Sequence, residues 1–400
     1  MRPYTRHLPT NLYDIQVVNV LSKLANRHRR VKAVAYKSMP KAKHNNLTDV
    51  LRAGDLAGVK SFVRANPKAA RAPQAICEAA RLGFTRGVEF LVRNGADLNA
   101  SWRNYRPLHS LIQEKPHSEG VREVDGRVAL LNWMLAKGAD PEQLGGWPAA
   151  RAIITAAMVG EPVYVEALRR GGAVVDTFVA AALGDVAKVE KALVKESGFA
   201  SAIDPSGLTA LHCAAGSRLG AKNKKTREGL VAVARLLLDR GANVDAGVKS
   251  WGHDVDAVYF AVASGQREVF ALLLERGADP TRALTPAVWS KDIAMAEMAL
   301  DRGAKLDRAV DEGKPLLNHL IRWGQFKQAL WMLERGASPN VTDEQGWTAA
   351  HQAASRGNEK MLKAVLDAGG DASLRDKGGY TPLDIARARN RPRVIALLAG

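Results

Sequence analysis

Cysteine is nearly absent from this sequence of 400 residues, which contains only Cys77 and Cys213. Two cysteines so far apart exclude a disulfide-rich scaffold and a cysteine-based zinc site. Long apolar runs are also missing, because no segment approaches the ~20 residues of a membrane-spanning helix and the amino terminus lacks the apolar core of a secretion signal. We therefore expect a cytoplasmic protein, or a nuclear one in a eukaryotic cell, that has no membrane contact.

Acidic residues are scarce relative to basic ones: 58 Lys and Arg face 41 Asp and Glu, which gives a formal charge of +17. More than half of this excess lies in residues 1–46, where ten basic residues accompany Asp14 as the one acidic residue. The charge is therefore concentrated in an amino-terminal arm. A basic, acid-poor start also fits an organelle transit peptide, although this segment is poor in serine.

One glycine-containing phrase returns along the chain after stretches with apolar residues three and four apart, which is typical of amphipathic helices. Glycine directly after a helix tolerates the left-handed conformation that ends it. Each phrase therefore predicts the end of a helix. The copies are RNGADLN from Arg93, KGADPE from Lys137, RGGAVVD from Arg170, RGANVD from Arg240, RGADPT from Arg276, RGAKLD from Arg302, RGASPN from Arg335 and AGGDAS from Ala368.

A second short helical stretch precedes each of these helices. Its best copies are LTALHCAAG (208–216), WTAAHQAASRGN (347–358) and YTPLDIARARN (380–390). Threonine can cap the first turn, proline is tolerated there, and paired alanines let helices approach closely. With the phrase that follows, these segments resemble the ankyrin repeat over roughly residues 47–400. The resemblance implies an all-α solenoid of helix-turn-helix units, with a loop or β-hairpin finger projecting between repeats.

Counting second helices predicts eleven units, with residues 1–46 as a separate amino-terminal segment. The units are expected to close near Asn66, Gly95, Gly138, Gly172, Gly198, Gly241, Gly277, Gly303, Gly336, Gly369 and the chain end. The two units that close at Gly198 and Gly303 are short, which predicts that they lack most of the finger. Two others carry extra residues, 113–126 and 217–229, whose composition predicts protruding loops on the edge opposite the fingers.

Histidine recurs at one helix position, as His109, His212 and His351, on repeats too far apart to share a metal. The family resemblance implies that this imidazole bonds near the helix start and ties adjacent units. Cys77 and Cys213 are expected to be small buried residues. The usual nucleotide, metalloprotease and hydrolase motifs are missing, and most acidic residues recur as the turn Asp of the glycine phrase. We therefore expect no enzymatic activity, cofactor or metal.

Tryptophan does not recur at one position of every repeat, so it is more informative about function than the residues that build each repeat. Trp133, Trp289 and Trp331 are expected to pack within helices. Trp147 and Trp347 occupy the position just before the residue that opens a first helix. Aromatic and basic residues at finger tips have little core to fill, so they indicate either a protein hot spot or a stacking platform for bases, with packing between repeats as the third possibility. The candidate partner-binding residues are Trp102, Arg103, Tyr105, Arg106, Lys249, Trp251 and Trp347.

The amino-terminal arm has two interpretations. Apolar residues at helical spacing between Leu12 and Leu24 predict a helix that caps the first repeat. The basic residues that follow form either a solvated tether or a contact with a polyanion. The basic segment 222–227 is a second candidate for a contact with a polyanion. The candidate polyanion-binding residues are Arg27, Arg29, Arg30, Lys32, Lys41, Lys43, Lys222, Lys224 and Lys225.

The sequence therefore predicts a monomeric binding scaffold that recognises another protein across a concave face of fingers and first helices. The alternative is a nucleic-acid-binding protein that uses the arm, segment 222–227 and the finger aromatics. Charge and aromatics alone support that alternative, since no DNA- or RNA-reading motif is present.

Overall fold

The computed structural model describes residues 46–114, 123–196, 198–250, 253–311 and 313–399. The described chain is all-α apart from four short strands, and it divides into two compact units. Unit 1 extends to Asn243 and includes Val248–Asp254. Unit 2 consists of Val244–Gly247 and the residues from Val255 onward. Both units are built from consecutive helix-turn-helix pairs, which we number as repeats 1 to 11.

Unit 1 contains repeats 1 to 6. Their helices are α1 (Leu47–Arg52) and α2 (Leu56–Ala65), α3 (Pro73–Arg81) and α4 (Thr85–Arg93), α5 (Pro107–Gln113) and α6 (Glu123–Ala136), α7 (Ala152–Val159) and α8 (Pro162–Arg170), α9 (Thr177–Leu183) and α10 (Val186–Lys195), and α11 (Ala210–Gly216) and α12 (Lys224–Asp239). Strand β1 (Val248–Ser250) pairs with β2 (His253–Val255) in the finger after repeat 6.

Unit 2 contains repeats 7 to 11. Their helices are α13 (Ala257–Ser264) and α14 (Arg267–Glu275), α15 (Leu284–Ser290) and α16 (Ile293–Asp301), α17 (Leu316–Arg322) and α18 (Phe326–Glu334), α19 (Ala349–Arg356) and α20 (Glu359–Asp367), and α21 (Pro382–Ala388) and α22 (Pro392–Ala399). The strands β3 (Val310–Asp311) and β4 (Lys314–Pro315) form the hairpin between repeats 8 and 9. The predicted number of eleven helix pairs is therefore confirmed.

Local sequence sets the ends of these helices as predicted. The closing glycine of each of the eight recurring phrases has φ between +86° and +95°, in the left-handed region where a side chain is disfavoured. At the first helices, Thr209 and Thr348 each cap the first turn together with the histidine three residues later. The paired alanines of these helices, such as Ala214 and Ala215, are fully buried where neighbouring first helices pack together.

Finger length follows the spacing between repeats. Only six residues separate α8 from α9, and the segment before α15 contains the 3-10 turn Pro280–Ala283 with no strand, so the two short repeats do lack the finger. Gly198 differs from the other predicted closing glycines. Its φ is −86°, and α10 has already ended at Lys195.

The prediction that residues 217–229 form a protruding loop is wrong for residues 224–229, which are helical. After the 3-10 turn Leu219–Ala221, the chain enters α12 at Lys224, and Asn223 caps this helix by accepting from the Thr226 N–H at 3.0 Å. Lys, Arg, Glu, Ala and Leu all favour helix, and Gly229 does not interrupt it. A Cβ on Gly229 would lie 2.4 Å from the carbonyl oxygen of Gly184, so this glycine permits contact with the short repeat 5.

The second insertion, 113–126, lies partly outside the described residues. Its last residues are helical rather than looped, because α6 begins at Glu123. Trp147 is also placed differently from the prediction. Helix α7 begins at Ala152 and not at Pro148, because Gly145 and Ala150 form a β-bridge that holds the intervening residues in a turn. Trp147 is therefore part of the finger between repeats 3 and 4.

Candidate partner-binding surface

The finger between repeats 2 and 3 is a tight hairpin. Trp102 and Tyr105 exchange two backbone hydrogen bonds of 2.9 Å across a two-residue turn. The turn residues Arg103 and Asn104 have φ of +50° and +64°, the left-handed values that a hairpin turn of this length needs. The backbone of the finger is therefore held in one conformation, and both turn residues are exposed at its tip.

Arg103 and Trp102 form a cation–π pair at this tip. The guanidinium carbon of Arg103 lies 4.9 Å from the centroid of the indole ring. Arg103 is exposed and Trp102 is half-buried, so the pair presents a charged group and part of an aromatic face to solvent. Tryptophan and arginine are the residue types most enriched among binding hot spots.

Tyr105 and Arg106, predicted with this pair, are half-buried, as Trp102 is. Burial raises the pKa of Tyr105 to about 12. The Arg106 guanidinium donates to the carbonyl oxygens of Leu144, at 2.8 Å, and Asn99. These bonds join the finger to the next one, so Arg106 orients Trp102 and Arg103 rather than extending into solvent.

The other predicted finger residues lie apart from this hairpin. Lys249 is exposed on β1, in the finger after repeat 6, while Trp251 lies outside the described residues. Trp347 belongs to unit 2, directly before the cap of α19. The structure therefore brings together four of the seven predicted residues, all of them in one finger.

Trp347 is tied to its neighbours on two sides. Its indole N–H donates to Asp376 Oδ2 at 2.9 Å, and its ring stacks on His351 with centroids 6.1 Å apart. Partial desolvation opposes ionisation of Asp376, but the N–H donors of Tyr380, Trp347 and Gly378 lower its pKa overall. Trp347 remains half-buried, so part of its ring still faces solvent.

Sequence reasoning missed Tyr380. It occupies the same position as Trp347 one repeat later, directly before the capping Thr381, and 57% of its surface is exposed. The position just before the threonine was already known to vary between repeats. Aligning YTPLDIARARN on WTAAHQAASRGN would have identified Tyr380 as a second aromatic on the same edge of unit 2.

The recurrent histidines have structural roles. His212 Nδ1 accepts from the Thr209 N–H at 3.1 Å, and His351 Nδ1 accepts from the Thr348 N–H at 3.2 Å. In the described residues, no group of three His, Cys, Asp or Glu side chains could hold a metal ion. The family-based prediction that these imidazoles bond at the helix start is confirmed for His212 and His351, whereas His109 Nδ1 has no hydrogen-bond partner among the described residues.

Cys77 takes the place of the histidine in repeat 2. Its thiol donates to the carbonyl oxygen of Tyr105 in the next repeat, with sulfur and oxygen 3.6 Å apart. Burial raises the pKa of Cys77 to about 11 and that of Cys213 well above its ordinary value, so both are protonated thiols at neutral pH. Both cysteines are buried, as predicted.

Only part of the predicted basic segment 222–227 is a loop, because α12 begins at Lys224 and Lys222 lies just before its cap Asn223. Lys222, Lys224 and Lys225 are exposed there. Positive charges at a helix amino terminus oppose the helix dipole, and Lys224 is also paired with Glu228 at 3.7 Å. The predicted arm residues, from Arg27 to Lys43, lie outside the described residues.

No described helix combines the length and the apolar character that are needed to cross a membrane. The comparison with curated proteins found no match. One solved structure similar to this chain is the crystal structure of the human ASB11 ankyrin repeat domain. It is 22% identical, with a TM-score of 0.42, over 56% of this chain and 97% of that one.

Two family models match the sequence. The model described as an ankyrin repeat matches residues 206–247, and the model described as ankyrin repeats (3 copies) matches residues 306–400. The first match covers repeat 6, and the second covers repeats 9 to 11. Ankyrin repeats are generally protein–protein interaction modules. Together with the capped helix pairs of both units, these matches identify the chain as an ankyrin-repeat protein.

Proposed function

We propose that this chain is a non-enzymatic scaffold that binds another protein through the face formed by its fingers and first helices. The observation that carries the proposal is the Arg103–Trp102 pair at the tip of a rigid hairpin. Neither side chain fills a core there, and the hairpin holds both before a partner arrives, which lowers the entropy lost on binding. Trp347 and Tyr380 offer a comparable aromatic edge in unit 2.

The test begins with the immobilised full-length chain, which captures proteins from a lysate of the cells that produce it, with and without nuclease. The affinity of the full-length chain for the recovered partner is then measured. Trp102→Ala and Arg103→Ala should each weaken binding by more than about 1 kcal/mol while leaving the helical circular dichroism unchanged. The matched controls are Trp133→Ala and Arg86→Ala, which change the same residue types on second helices of the same unit. Binding should survive both controls.

Two results would count against this surface. If Trp102→Ala and Arg103→Ala lower the melting temperature and leave binding intact, the pair only packs the finger. If every recovered protein disappears after nuclease treatment, nucleic acid bridges the contact. The alternative function would then gain support, with the exposed Lys222, Lys224 and Lys225 as its described part.

A further inference from the structure

Repeats 9 to 11 carry an unbalanced positive charge on the edge opposite their fingers. Each first helix begins beside a finger and ends in the turn to its second helix, so these turns share the far edge of unit 2. In repeats 9 to 11 the turn segments are residues 322–327, 356–360 and 387–393, which we call the basic edge. It contains eight Lys and Arg residues, and Glu359 is its one acidic residue.

Within unit 2, this charge distinguishes repeats 9 to 11 from repeats 7 and 8. Beyond the arm, residues 47–400 have a net charge of +8, and the basic edge accounts for +7 of it. In repeats 7 and 8, by contrast, each turn contains one basic and one acidic residue, and Arg267 pairs with Asp292 at 3.0 Å. No carboxylate of the described residues lies within ion-pair distance of Arg322, Arg356, Arg389 or Arg391. Asp384 lies in the first turn of α21, and its pKa is lowered by its bonds to Thr381 and, more weakly, by the charges of Arg375 and Arg387.

Two arginines of the basic edge each pack against a glycine in the corresponding turn of the preceding repeat. The Nη2 atom of Arg356 lies 3.0 Å from the position that a Cβ on Gly324 would occupy, and Arg391 Cδ lies 2.6 Å from the corresponding position at Gly357. Both glycines have positive φ, +74° and +71°, so each turn leaves space for the next arginine. Arg391 Nε also donates to the Ser355 carbonyl oxygen at 3.3 Å. The charges therefore form a row across three repeats.

An exposed aromatic residue stands at the start of this row. Trp323 is 42% exposed, and its indole N–H donates to His319 Nε2. An indole N–H can only donate, so Nε2 is the acceptor of this bond. On the other side of the ring, His319 Nδ1 lies 2.9 Å from Oδ2 of the buried Asp311, which accepts from the Trp289 indole at 2.7 Å. The bond to His319 holds the Trp323 indole in place and leaves its apolar ring for a contact.

We propose that the basic edge binds an acidic segment of a partner protein, independently of the finger surface. Six of its eight basic residues are arginines, whose planar guanidinium matches a carboxylate in two-point contact. A single-stranded nucleic acid would need successive aromatic platforms along the row, and the edge has Trp323 as its one exposed aromatic among the described turns. The exposed ring of Trp323 would contact an apolar residue within the acidic segment.

The test uses a short fluorescein-labelled peptide of alternating Asp and Glu with a central Leu-Leu pair, titrated with the full chain at low and at physiological ionic strength. The triple variant Arg322→Gln/Arg356→Gln/Arg389→Gln should lose roughly tenfold or more in affinity. The matched control Arg302→Gln/Lys305→Gln/Arg308→Gln removes the same charge from exposed positions on the finger side of unit 2, and it should lose less than about twofold. Trp323→Ala should weaken the peptide containing Leu-Leu more than one in which Ser replaces both leucines.

Equal losses in the two triple variants would overturn the proposal, because binding would then follow net charge alone. A single-stranded oligonucleotide of equal charge that binds more tightly than the peptide, through the same arginines, would also overturn it in favour of nucleic acid. Circular dichroism and thermal unfolding of each variant confirm that the fold is retained. The finger variant Trp102→Ala should bind the peptide normally, which separates this proposal from the finger surface.

Discussion

The imidazole Nε2 of His351 lies 3.0 Å from the carbonyl oxygen of Tyr380, the residue just before the cap of the next repeat. His109 makes the same link to Ala150 at 2.9 Å, and Cys77 makes it to Tyr105 through sulfur. In each case a side chain of a first helix bonds the backbone where the following first helix begins. The register between neighbouring repeats is therefore set by one polar contact as well as by apolar packing.

His109 should make stability depend on pH. Burial, which disfavours the charged ring, lowers its pKa from 6.5 to about 4 in the folded chain. The unfolded chain therefore binds one more proton between these values, so stability is complete above pH 6.5 and falls as the pH drops toward 4. The loss is on the order of 3 kcal/mol. Urea unfolding of the native chain and His109→Gln at several pH values measures it, and parallel curves for the two proteins would contradict this prediction.

A charge placed inside one unit should unfold a block of repeats. Leu273 is fully buried in α14, and Leu273→Asp should cost on the order of 5 kcal/mol, through lost apolar burial and an unpaired carboxylate. Because most contacts between repeats join direct neighbours, hydrogen exchange should lose protection in unit 2 while α3 and α5 stay protected. Leu237→Asp is the reciprocal variant, in unit 1. Loss of protection along the whole chain in both variants would disprove independent blocks.

Gly229→Ala should destabilise unit 1 even though alanine favours helix. The new methyl group would lie 2.4 Å from the Gly184 carbonyl oxygen, so α12 must shift, at a cost of roughly 2 kcal/mol. Gly198→Ala is the control, because its φ is negative and nothing lies within 4 Å of the new Cβ. Thermal unfolding compares the two variants. A melting temperature for Gly229→Ala at or above that of the native chain would mean that α12 does not pack this closely.

The arm offers a test between the two functions. If six of its basic residues neutralised phosphates, log affinity for duplex DNA would fall with log salt at a slope of roughly −5. The protein scaffold predicts weak, form-independent binding and little change when Arg27, Arg29, Arg30, Lys32, Lys41 and Lys43 are replaced by Gln in the full chain. Titration with duplex and single-stranded DNA at two salt concentrations decides between these outcomes. Tight binding that these substitutions abolish would favour nucleic acid.

The fold was predictable because its signals are local. A glycine at a helix end and a threonine three residues before a histidine act within one turn, so each appears in a short stretch of sequence. The helical start of α12 could not be found this way. Residues 217–229 contain two glycines and many charges, which usually indicate a loop, and the contact that Gly229 makes with Gly184 lies about forty residues earlier in the sequence.

The candidate surface was predictable only in part. Composition and repeat register identified Trp102 and Arg103 at a finger tip, but side-chain direction depends on the neighbouring finger. The Arg106 guanidinium points to Leu144, some forty residues later. The basic edge escaped notice for a similar reason. Its three segments are about thirty residues apart, and each contains an unremarkable number of charges until stacking places them side by side.

The two repeats on either side of repeat 5 are joined directly by a hydrogen bond. The backbone N–H of Arg218, in repeat 6, donates to the carbonyl oxygen of Ala157, in repeat 4, at 2.9 Å, while α12 covers Gly184 of the repeat between them. Deletion of repeat 5 alone would leave the long helix of repeat 6 without the surface it covers. Repeats 4 to 6 are thus expected to tolerate deletion only as a group of three.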